Sequence, residues 1–139
     1  MQSGLFRSNM VSHRLFSMLL TASVFATVVV VGHTHCGGCD AALHASQNGP
    51  DAPADPNLPR DAPINIWLAA LVRLAWSLRR KAPNGHVTLD ELVTANVRAQ
   101  VEEVKKSSTF KDHRDVKVHG WVYRLEKGLL EDLKVTVST

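Results

Sequence analysis

Cysteine is scarce in this 139-residue chain: there are two, Cys36 and Cys39, inside one short motif. Two such residues make no disulfide framework, and their placement fits a metal or thiol role in a reducing compartment. Acidic side chains are missing from the start. No Asp or Glu precedes Asp40, and Arg7 and Arg14 are the only fixed charges in that stretch. The net charge of +3 arises without a dense Lys/Arg block. Basic and aromatic residues are not interleaved, which argues against nucleic acid as a partner. Arg79-Arg80-Lys81 reads instead as the cationic end of a helix. There is no internal repeat. The longest apolar stretch, Leu15 to Val31, is broken by Ser17, Thr21, Ser23 and Thr27 and falls short of the ~18–20 apolar residues that span a bilayer. A membrane partner is therefore not expected.

The acid-free N-terminus admits several readings: a signal peptide cleaved near "SVFA", a mitochondrial transit peptide, or an apolar helix that packs on a strand. The last is preferred, because cleavage after Ala26 would leave a mature chain beginning inside its own core strand. Residues 1–26 are thus set apart as an atypical segment, with residues 15–26 as a short apolar helix. Residues 27–139 are read as one α/β domain, a length and composition able to bury a core. Cytoplasm is the expected location, with mitochondria as the alternative.

What is present is well patterned. "TVVVV", Thr27 to Val31, is a continuous β-branched run of the kind buried on both faces of a parallel sheet. "GHTHCGG" follows as a loop, and a helix begins near Cys39 with Asp40 in its first turn. Prolines then recur from Asn48 to Pro63, in "NGPDAPADPNLPRDAP". This is read as a solvated surface loop inserted between helices, in preference to a PxxP ligand, since that pattern is permissive. From Pro63 the spacing of Ile64, Trp67, Leu68, Leu71, Leu74 or Ala75, and Leu78 predicts an amphipathic helix that ends at Pro83-Asn84-Gly85. Thr88-Leu-Asp-Glu91 is a capping box opening a further helix to about Lys106, with Leu89, Leu92, Val93, Val97, Val101 and Val104 on one face. "VKVHGWVYRL" alternates as a strand, "EKG" turns it, and "LLEDLKVTV" returns.

His33 and Cys36 are the chemical centre of this pattern. They stand three residues apart in a loop at the carboxyl end of a strand, where open α/β sheets bind ligands. Imidazole with thiolate is a donor pair that zinc commonly takes. On spacing alone other readings stay open: a chance His-x-x-Cys, a compact knuckle using His33, Cys36 and Cys39, or a redox pair in Cys36-Gly-Gly-Cys39.

The string "VVVVGHTHCGGCDAAL", followed by "LVTANVRAQVEEVKKSSTF" and "VKVHGWVYRLEKGLLEDL", resembles the β-class carbonic anhydrases, their fungal members above all. The resemblance runs from Val28 to Leu133, with a departure in the proline-rich stretch. It implies a mostly parallel sheet flanked by helices, homo-oligomers of dimers or higher order, and reversible hydration of CO2 to bicarbonate with Zn2+ as cofactor. By the same resemblance His33 and Cys36 are two of the protein ligands of that zinc, while His35 and Cys39 lie at positions the family leaves unused. His119 and Trp121 become packing or interface residues. The family's Cys-x-Asp-x-Arg motif has no counterpart here, since both cysteines are already placed. No catalytic residue is therefore assigned. The expectation is an N-terminally truncated member with impaired activity. Alternatives are a non-catalytic partner of full-length homologues and a small membrane-anchored protein using Leu15–Val31.

Overall fold

A computed structural model describes residues 27–112 and 116–138; the expected helix at 15–26 lies outside them. Strand β1 (Thr27–His33) leads into helix α1 (Gly37–Ala45) and a single 3-10 turn (Ser46–Asn48). Helices α2 (Pro63–Lys81), α3 (Leu89–Lys106) and the short α4 (Ser108–Lys111) follow, then strands β2 (Lys117–Arg124) and β3 (Leu129–Ser138). No helix among the described residues is long and apolar enough to cross a membrane.

The sheet has the order β1-β2-β3, with β1 parallel to β2 and β3 antiparallel to it. It is mixed because the turn at 125–128 is short enough for a hairpin, whereas β1 reaches β2 through all the helices, as a parallel connection requires. Gly128 takes a positive φ of 65° in that turn, and its N–H donates to the Arg124 carbonyl.

Helix α3 begins at the expected capping box. Glu91 N–H donates to the Thr88 hydroxyl, and the Glu91 carboxylate accepts from Thr88 N–H at 2.7 Å. Its face of Leu92, Val93, Val97 and Val101 is buried across the sheet, against Val118 and Val122 of β2. Two glycines let it come close. A Cβ on Gly32 would stand 2.5 Å from a Val97 methyl, and one on Gly120 would stand 2.7 Å from Val135 and 3.1 Å from Val97 and Val101. The β2–β3 register shifts between His119 and Trp121, so Gly120 sits at the bulge.

Two expectations need correction. The "TVVVV" run is not buried on both faces: Val28 and Val30 join the core cluster, but Val31 is 52% exposed. The reason is that β1 is the outer strand of the described sheet and α3 covers the face that Val30 and Gly32 present. In α2 the buried residues are Asn65, Leu68, Val72 and Ala75, while Ile64 and Trp67 turn outward. Asn65 is drawn in by the proline-rich loop. Its Oδ1 accepts from Asp55 N–H at 2.8 Å, and its Nδ2 donates to the carbonyls of Asp55 and Pro59. The loop is thus a surface segment, as expected, but one held by a buried amide. Arg79 has a similar bracing task, donating to Ser46 Oγ, Leu43 O and Gly85 O.

Candidate metal centre

β1 ends at His33, and three residues later Cys36 forms the N-cap of α1 with an extended backbone (φ −69°, ψ 113°). The intervening turn is tied down by Thr34, which is buried. Thr34 N–H donates to the Tyr123 carbonyl at 3.0 Å. Its hydroxyl accepts from Leu125 N–H at 3.0 Å and donates to Glu126 at 2.7 Å. This threonine fastens the His-x-x-Cys loop to the β2–β3 turn some ninety positions away. Nothing in the local sequence pattern marks it, because its partners are fixed only by the parallel register of His33 with Tyr123.

His33 is exposed, and its Nδ1 lies 2.9 Å from the Thr34 carbonyl. A carbonyl can only accept, so Nδ1 is the donor and Nε2 is the ring nitrogen available to a metal. Metal-binding histidines use this arrangement. Cys36 is half-buried, and its carbonyl takes the first helical bond of α1, from Asp40 N–H at 2.9 Å. Both side chains line one open groove of about 1090 Å³, whose walls include Val31, Leu68, Asn96 and Gln100.

The neighbouring candidates turn away. His35 takes a left-handed backbone (φ 56°) and points to Glu126, with Nε2 3.9 Å from the carboxylate. Cys39 is buried one turn inside α1 beneath Cys36. Burial, then the adjacent Cys36 and its hydrogen bond, push the Cys39 thiol up to about 12, so it stays protonated at neutral pH. Among the described residues no three His, Cys, Asp or Glu side chains converge to hold a metal ion. The knuckle of His33, Cys36 and Cys39 is therefore not assembled.

Comparison with known proteins places this geometry. The family model for carbonic anhydrase matches residues 17–130. The chain belongs to the carbonic anhydrase family. A curated carbonic anhydrase from Emericella nidulans is 30% identical over 116 residues, which cover 78% of this chain and 45% of that protein. The fold is that of the β class. It matches one of the two tetrameric β-carbonic anhydrases of Sordaria macrospora with a TM-score of 0.71 at 16% identity, over 93% of this chain and 62% of that one. It matches the β-carbonic anhydrase CafA of Aspergillus fumigatus with a TM-score of 0.67 at 22% identity, over 90% and 56%. The chain thus spans about half to three-fifths of the length of these relatives.

Whether zinc fits here is decided by the donors. An imidazole whose Nδ1 is engaged by the Thr34 carbonyl and a thiol at a helix start suit Zn2+ in kind. They fall short in number, because a catalytic zinc ordinarily has three protein ligands. The described residues offer His33 and Cys36.

Proposed function

We propose that this chain carries the His-x-x-Cys half of a zinc-dependent carbonic anhydrase site, serving the reversible hydration of CO2 to bicarbonate, and that the chain alone is impaired in it. His33 and Cys36 are the metal ligands in this reading. The observation that carries it is the hydrogen bond from His33 Nδ1 to the Thr34 carbonyl, which sets Nε2 as a ligand beside Cys36 in one groove. Zinc supplies Lewis acidity that makes water nucleophilic near neutral pH. The chain's own contribution is to hold the imidazole in one tautomer, to anchor its loop through Thr34, and to present a partly apolar groove wide enough for CO2. Impairment follows from the donor count, since the Cys-x-Asp-x-Arg motif is absent from the sequence. The chain is also proposed to form homo-oligomers.

The test is elemental analysis of the purified chain together with stopped-flow CO2 hydration. A zinc-to-protein ratio well below one and hydration at the buffer rate are expected. Residual zinc should fall further in His33→Ala and Cys36→Ser. A ratio near one with hydration above the buffer rate would refute the impairment, and uptake indifferent to both substitutions would refute the ligand assignment.

A further inference from the structure

Among the described residues the sheet is covered on one side. Val30 of β1, Val118 and Val122 of β2, and Leu133 and Val135 of β3 join the valines of α3 in the core, while α1 and α2 pack on α3 and on each other. Strand alternation sends Val29 and Val31 of β1 and His119, Trp121 and Tyr123 of β2 to the opposite side. There Val31 and Tyr123, toward the carboxyl ends, are 52% and 37% exposed. Val29, His119 and Trp121, in the middle of the face, are half-buried, although α3, the helix seated on the sheet, lies on the other side. The indole N–H of Trp121 is shut off from water and has no hydrogen-bond partner, a condition that calls for an explanation in a native structure. His119 is already engaged, with Nδ1 3.0 Å from the Thr136 hydroxyl. The middle of this face thus presents apolar surface and one unanswered donor.

We infer that the apolar segment Leu15–Ala26 of the same chain folds back over this face and is seated on Val29, His119 and Trp121. The segment joins β1 directly at Thr27, so it is tethered at the margin of the face it covers. It brings Leu15, Phe16, Leu19, Leu20 and Phe25 and no charged side chain, which suits a seat of valine and aromatic rings. Reversing the chain takes about three residues. The roughly nine that remain span ~14 Å as helix, enough to cross three strands ~4.8 Å apart. Ser17, Thr21 and Ser23 interrupt the apolar run, and a hydroxyl is an acceptor able to answer the Trp121 N–H. The family match begins at residue 17, so most of the segment is counted within the shared domain. Nothing in this inference uses the zinc reading.

The test is nuclear Overhauser spectroscopy on the isotope-labelled full-length chain, with the indole N–H signals of its three tryptophans assigned. The Trp121 ring is expected to show contacts to methyl groups of residues 15–26 within one chain. Contacts confined to residues 27–138 would overturn the inference. Contacts to 15–26 that appear only between chains, in a sample mixing labelled and unlabelled protein, would overturn it equally, since a second copy would then hold the face. Replacing Leu19 and Leu20 together by Asp in the full chain should speed hydrogen exchange at the Trp121 indole at least about tenfold; exchange as slow as in wild type would count against the seat. The Overhauser contacts are read in wild type, so they decide the matter even where the double variant fails to fold.

Discussion

Thr34 does more for the site than either proposed ligand does for the fold. It is buried, it satisfies Leu125 N–H, and it donates to Glu126. Replacing it by Val keeps the volume but leaves the Leu125 amide without its partner, at a cost of about 1–3 kcal/mol. Thr34→Val is therefore expected to lower the unfolding free energy from chemical denaturation by that amount and to loosen the His33 loop, seen as faster amide exchange at 33–36. A change below about 0.5 kcal/mol would refute the anchoring role. The pH dependence has a definite sign. The Thr34 hydroxyl, then backbone donation, hold the Glu126 carboxyl below its ordinary value. A carboxylate whose pKa is lowered by folding contributes stability above its unfolded pKa and loses it as pH falls through the folded value. Wild type should thus lose stability to acid below about pH 4.5, the ordinary carboxylate range. The part of that loss due to Glu126 should shrink in Thr34→Val.

At the scale of elements, the seating of α3 on the sheet depends on two missing side chains. Gly120 lies at the β2 bulge with Val97, Val101 and Val135 close around the place a methyl would occupy, and Gly32 faces Val97 in the same way. Valine has one stiff rotatable bond and cannot swing clear, so Gly120→Ala must displace Val135 of β3 and crowd Val97 and Val101 of α3. The expected loss is about 1–3 kcal/mol by urea denaturation. Val97→Ala should recover part of the loss in Gly32→Ala, because that pair shares one contact; purely additive effects would refute the packing account. Local signals made these elements readable in the sequence. The Thr88–Glu91 box, the Val97 and Val101 stripe and the alternation around Val118 and Val122 each stand within one element, and all occur as read. What could not be read depends on register between distant elements: the closeness of Gly32 to Val97, the reach of Thr34 to Glu126, and the capture of the proline-rich loop by Asn65. The proposed His33–Cys36 pair comes from spacing together with the family resemblance; that both residues line one groove is what the folded chain adds. The shortage of donors was also readable, since the chain has two cysteines and no Cys-x-Asp-x-Arg motif.

For the molecule as a whole, α2 holds the decisive misfit between sequence pattern and surroundings. Its Leu68, Val72 and Ala75 already fill the inward face, yet Ile66 and Trp67 stand 54% and 59% exposed on the outward one. A helix apolar beyond a single stripe is one that expects cover on both sides. These two residues share the groove with Val31, His33 and Cys36, so an apolar wall and the proposed ligands form one surface. Exposed apolar groups gathered in this way mark interaction sites, and Trp is the residue type that most often dominates their energetics. The proposed homo-oligomer accordingly uses this wall. In sedimentation velocity the wild-type chain is expected to run as a dimer or larger species at micromolar concentration. Trp67→Lys should weaken association at least about tenfold while leaving the far-ultraviolet circular dichroism and the denaturation midpoint of the monomer unchanged, since the side chain packs little within its own chain. Arg80→Ala serves as the contrast, for Arg80 lies over the Trp76 ring at 4.9 Å, outside the groove lining, and should leave association unaltered. A wild-type chain that is monomeric across that range, or a Trp67→Lys chain that associates as strongly as wild type, would show that the outward face of α2 is not the surface through which copies meet.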